Sequence, residues 1–250
     1  MRENGKIALS LWGKLIAATF MAAILFLSLS VLFNALFSHK VGYYILERDE
    51  SGVTTTVETH YFAEGEDENT EVTLKENQSL SAIKELSPGM NVTFNLVSQL
   101  LMLLLIGIFP YNTLWPIGCK DDNLVTYGHA PYDLLRGLKV GALATIPAAL
   151  LYLGLVLSVC GVLPSWYFGV YRILNIQYLP YINAVTGVVA DPTQIGALAV
   201  IALAATLLFV PAISAGAYWL GYKQISLHER LTYESKKKPA PRKPRSHEEI

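Results

Sequence analysis

Four stretches of the chain, at positions 11–37, 94–118, 138–163 and 195–222, are nearly unbroken runs of apolar residues separated by polar segments. Each supplies the ~20 apolar residues that cross a ~30 Å hydrocarbon core at about 1.5 Å per residue. Lipid offers backbone amides no hydrogen-bond partner, so such runs are expected as helices and not as strands. The pattern predicts an all-α transmembrane fold, a four-helix polytopic bundle with a small extracytoplasmic β-containing insert. Its parts are an N-terminus with the first span at 1–37, the insert at 38–93, a membrane domain at 94–222 and a tail at 223–250. Within the membrane domain, 119–137 reads as a cytoplasmic loop and 164–194 as an outer aromatic loop.

The first run follows a basic start, Arg2, Lys6 and Lys14, which a cleaved signal peptide would also have. Its apolar stretch exceeds the roughly 7–15 residues of a signal h-region, and no Ala-x-Ala-like site follows, so it reads as an anchor.

The insert changes period. VGYYILER and VTTTVETHYF are rich in β-branched and aromatic residues, with a turn signal at Asp49–Gly52 between them, and TEVTLK alternates with period two. SLSAIKEL reads as a short helix, capped by Ser79 and stopped by Ser-Pro-Gly. The expectation is a three-stranded sheet plus one or two helical turns, leaning on the membrane domain or on a partner. The 164–194 segment carries Trp166, Tyr167, Phe168, Tyr171, Tyr178 and Tyr181, amphipathic rings suited to the headgroup level, and reads as an interfacial helix.

Charge orients the map. The chain has 250 residues, 52% of them hydrophobic and 16% charged, with a mean hydropathy of +0.38, whereas a soluble domain carries about a quarter charged residues. Fourteen Lys and Arg fall in 1–14, 119–139 and 221–250, against five in 38–92 and 163–195, so the positive-inside rule places both termini in the cytoplasm. The natural location is the plasma membrane. The insert holds 11 acidic and 4 basic residues although the whole chain is only −1. Its run of Glu64, Glu66, Asp67, Glu68 and Glu71 lacks EF-hand spacing and reads as a solvated acidic turn. Asn77-Gln78-Ser79 and Asn91-Val92-Thr93 match a glycosylation sequon, relevant in a eukaryotic secretory pathway.

The tail gathers Lys236, Lys237, Lys238, Arg242, Lys243 and Arg245 among prolines, with almost nothing apolar. Such composition predicts disorder and a reversible electrostatic hold on anionic inner-leaflet lipids, at about 1 kcal/mol per basic residue. Pro241 and Pro244 also fit a weak PxxP pattern. With no interleaved aromatic or folded module, the patch predicts no nucleic-acid partner.

Chemistry is sparse. No ionisable residue lies mid-span, which argues against a proton relay, a voltage sensor or an ion-coupled carrier within one subunit. Pro110, Pro147 and Pro211 fall at similar depth and are candidate helix hinges. Gly137, Gly141, Thr145 and Ala149 recur at four-residue spacing, as do Ala212 with Gly216 and Ala217 with Gly221, the pattern of close helix packing. Cys119 and Cys160 belong near opposite membrane faces and to no metal motif, so they read as structural.

The loop CKDDNLVTYGHAPYDLLRG concentrates Asp121, Asp122, His129 and Asp133, the weak candidates for catalysis or metal binding. Their order matches no ligand template, Asp-Asp-Asn and Tyr-Gly are ordinary turn chemistry, and Asp133 could start the next helix. No P-loop, GxSxG or nucleotide fingerprint occurs, and no cofactor is implied. The favoured expectation is therefore a non-enzymatic membrane accessory or scaffold that contacts a membrane or envelope protein through residues 41–86. A transport component whose path forms on oligomerisation, and an enzyme acting at the cytoplasmic interface, are the alternatives. Convergence of the loop's carboxylates and imidazole on one pocket would favour the enzyme.

Overall fold

The computed structural model describes residues 2–48, 54–62, 74, 77–129, 131, 133–187, 189 and 191–225. Its long helices are α1 (Arg2–Phe37), α2 (Pro88–Thr126), α3 (Arg136–Val159) and α6 (Ala197–Tyr222), all long and apolar enough to cross a membrane. Between α1 and α2 lie strands β1 (Ser38–Arg48), β2 (Thr54–Tyr61) and β3 (Gln78–Leu86). Between α3 and α6 lie two short helices, α4 (Trp166–Leu174) and α5 (Leu179–Thr186), with 3-10 turns at Ile176–Tyr178 and Pro192–Gln194. The 164–194 segment is thus two helices and two tight turns, where one interfacial helix was expected.

The helices overrun their apolar cores. α1 starts nine residues before position 11, and α2 begins at Pro88, where proline's missing N–H is harmless at a first helical turn, and ends eight residues after Gly118. Glycine stops α2 and α3. Gly128 has φ +71°, with His129 N–H donating to the Leu124 carbonyl (2.8 Å) and Gly128 N–H to Val125 (3.0 Å), the paired bonds of a Schellman stop. Gly161 (φ +73°) ends α3 with the same pattern, through Val162 to Leu157 and Gly161 to Ser158.

The chain divides into two compact units. One comprises Met1–Leu11, Pro110–Thr145 and Phe209–Ile250; the other comprises Trp12–Phe109 and Ile146–Leu208. The divisions fall at Pro110 itself, two residues before Pro147 and two before Pro211, while α2, α3 and α6 remain continuous through those prolines.

The second unit contains the sheet, ordered β2-β1-β3 with both pairings antiparallel. Gly42 is required where β1 meets β2, because a Cβ there would overlap the His60 carbonyl oxygen. Ile45 and Ile83 are its buried apolar residues, and Tyr43 stacks with His60 (5.0 Å between ring centroids) beside Phe62. The SLSAIKEL segment is not the expected helix: it forms β3, paired with β1 from Ser38↔Leu86 to Glu47↔Gln78. An isolated helix of that length is marginal, whereas the ladder satisfies the backbone of both strands and buries Ile83. Most of TEVTLK, the Asp49–Gly52 turn, the acidic run at 64–71 and the whole basic tail at 236–245 lie outside the described residues.

In the same unit Phe94 of α2 packs against Phe26 (5.6 Å) and Phe33 (5.3 Å) of α1. Gln99, one of the few polar residues in a span, donates to the Gln177 carbonyl (3.1 Å) and accepts from the Tyr181 amide (3.0 Å). Tyr152 and Tyr181 donate to the Val200 and Ala202 carbonyls of α6, each at 2.8 Å. Phenol and amide groups thereby fix helix neighbours in surroundings where apolar contact alone gives no preference.

Candidate functional site

The densest polar cluster lies in the first unit, and its centre is Asp121. Because α2 continues helically through Thr126, Asp121 and Asp122 stand on a helix and not in a turn, a correction to the 119–137 loop. Asp121 is buried, 8% exposed. Both its carboxylate oxygens accept from Arg136 Nη1, each at 2.7 Å, and Oδ2 also accepts the Tyr218 hydroxyl at 2.9 Å. Arg136, at the first position of α3, completes the cluster by donating from Nε to Asn4 Oδ1 (3.2 Å) and pairing through Nη2 with Glu3 (3.1 Å). One guanidinium thus joins the start of α1, the end of α2, the start of α3 and, through Asp121, α6. A desolvated carboxylate is tolerated only when paired and hydrogen-bonded, and here it is both.

A second set of bonds ties the ends of α2 and α6. The Trp115 indole donates to the Ile225 carbonyl (2.8 Å), Cys119 Sγ to the Gly221 carbonyl (3.1 Å), and Gln224 Nε2 to Asp122 Oδ2 (2.5 Å). Gln224 has φ +53°, a left-handed conformation that disfavours a side chain, and it ends α6 through the Ile225-to-Leu220 bond (2.9 Å). The Asp122 bond offsets part of that strain. These contacts depend on two glycines. A Cβ at Gly118 would overlap the Tyr218 carbonyl oxygen, and one at Gly221 the Trp115 carbonyl oxygen, so the two helices touch backbone to backbone.

The candidate residues of the sequence go to different places. Asp121 is taken up by Arg136 and Tyr218, and Asp122 by Gln224. Asp133 precedes α3, accepts the Leu135 amide (3.2 Å) and pairs with Lys139 (2.9 Å), whose hydrogen bond pulls its carboxyl below the usual range. His129 is exposed, and its backbone serves the stop of α2. Among the described residues no three His, Cys, Asp or Glu side chains gather as metal ligands. The structure therefore bonds Asp121 to Arg136 and gives Asp122 and Asp133 other direct partners, Gln224 and Lys139.

Gly137 and Gly141 face α6. A Cβ at Gly137 would meet Tyr218 Cβ at 2.5 Å, and one at Gly141 would meet Pro211 Cα and Ser214 Cβ at 2.7 Å. Ala212 and Gly216 lie on the exposed side of α6, with nothing within 4 Å of a Cβ built at Gly216. Pro110, Pro147 and Pro211 are each inside a continuous helix.

Nothing in the local pattern singles out Glu3, Asn4, Tyr218, Gly118 or the bonded role of Arg136. A signal existed for one pairing: Asp121 and Arg136 flank a short connection at the ends of two antiparallel spans, where opposite charges can meet.

In the second unit, burial dominates the aromatic segment. Desolvation pushes the Tyr171 phenol up to about 12, against the hydrogen bond from Thr206, and drives Tyr178 higher still. Arg172 lies over the Phe168 ring at 4.5 Å and donates from Nη2 to the Gly187 carbonyl (3.3 Å); partial burial lowers its pKa from the usual value. Searches against protein-family models, curated proteins and solved structures find no match to this chain.

Proposed function

We propose that this chain is a non-enzymatic, multi-pass scaffold of the plasma membrane, with both termini cytoplasmic, that engages a membrane or envelope protein through its sheet. The observation that carries the reading is the state of β2. Among the described residues it is one of the two edge strands of the sheet, with β3 the other, and Thr54–Thr59 are exposed at every position. A strand with an unpaired backbone edge is a ready template for another chain. Orientation rests on the excess of Lys and Arg at 1–14, 119–139 and 221–250. The basic run at 236–245 adds a hold on anionic inner-leaflet lipid. The partition of the loop's acidic residues among structural partners supports a scaffold over an interfacial enzyme.

Photocrosslinking from Val57, an exposed position on β2, tests the reading in intact membranes. A discrete adduct with a different membrane or envelope protein is expected. Recovery of uncrosslinked chain alone, whatever the expression level, would contradict it.

A further inference from the structure

Arg172 has an unusual set of partners. A guanidinium carries five N–H donors in a rigid fork. Here Nη2 bonds the Gly187 carbonyl at 3.3 Å, and Nε–H is enclosed with no acceptor among the described residues. The ring of Phe168, 4.5 Å away, fixes the plane of the fork. None of the ion pairs among the described residues involves Arg172, and Asp191, four residues past Gly187, gives its carboxylate to Thr193. This cation has lost water along one edge without gaining a counter-charge there, which strengthens its demand for an anion along the open edge.

The surroundings say where such an anion comes from. Arg172 sits on α4, which starts seven residues beyond the end of α3. Trp166 and Ile173, seven residues apart and so on one face of α4, are 66% and 69% exposed. Exposed Trp and Ile on a short helix beside the end of a span are membrane-interface anchors, and they place the fork at headgroup depth. We propose that Arg172 binds the phosphodiester of an anionic phospholipid, with its plane set by Phe168 and Gly187 and the acyl chains lying along the Trp166–Ile173 face. The site rests on α3 and α6 crossing the bilayer and is independent of partner binding through β2.

Native mass spectrometry of the full-length protein, in detergent supplemented with phosphatidylglycerol, tests this. Wild type retains one tightly held phospholipid, and Arg172→Gln lowers its affinity about tenfold or more, the effect of removing a charge-assisted bidentate contact. Arg172→Lys keeps the charge without the fork and falls in between; it carries the test if Arg172→Gln does not fold. Lys223→Gln, at an exposed position past α6, leaves retention unchanged. Diacylglycerol, which lacks the phosphate, is not retained, and equimolar inorganic phosphate does not displace the lipid. Equal retention by wild type and Arg172→Gln overturns the site. Equal retention of diacylglycerol, or displacement by inorganic phosphate, overturns the phospholipid assignment.

Discussion

Removing the Asp121 carboxylate leaves a guanidinium and a phenol facing each other in a site where both partner side chains are sheltered, at 16% exposure for Arg136 and 11% for Asp121. Breaking a buried pair from one side costs about 3–5 kcal/mol, because the stranded charge is worse than no pair at all. Arg136 retains Glu3 and Asn4, so Asp121→Ala should lie near the low end, about 3 kcal/mol. Asp121→Ala combined with Arg136→Met should lose clearly less than the two single losses added together. Thermal unfolding in detergent measures this cycle; additivity within about 0.5 kcal/mol would show that the two side chains do not act as a pair.

At the scale of elements, the same helix carries glycines with opposite consequences. Gly221→Val drives a side chain into the backbone of α2 at Trp115, and overpacking of that kind costs about 1–3 kcal/mol or more, since a carbonyl cannot swing aside. Gly216→Val, five residues earlier, points into open space and should leave unfolding temperature unchanged or raise it, valine being the better packed against lipid. Equal losses in the two variants would refute the α2–α6 contact. Both glycines are plain in the sequence, yet nothing in their spacing says which side of α6 meets protein. The long elements were legible because each has an apolar run of its own. SLSAIKEL was misread because its fate depends on β1, some forty residues away, which offers a ladder that local propensity does not register. The Asp121 cluster was hidden for a similar reason: Glu3 and Asn4 reach Arg136 from 132 or more positions away, and one loop scanned by itself shows only a crowd of charges.

Polar side chains bind helix to helix in each of the two units. In one unit they form the Asp121–Arg136 knot; in the other, tyrosines and Gln99 hold carbonyls and amides. What such a frame presents to the outside depends on which way it is threaded. The β2 edge and the Arg172 fork belong to connections that four crossings would leave on the side opposite the termini. Impermeant maleimide labelling of intact cells, on single-cysteine variants of a chain lacking Cys119 and Cys160, measures that threading. The proposed threading predicts rapid labelling at Thr55→Cys, on exposed β2, and protection at Ala240→Cys until the membrane is permeabilised. Labelling of Ala240→Cys in intact cells, with Thr55→Cys protected, would contradict it.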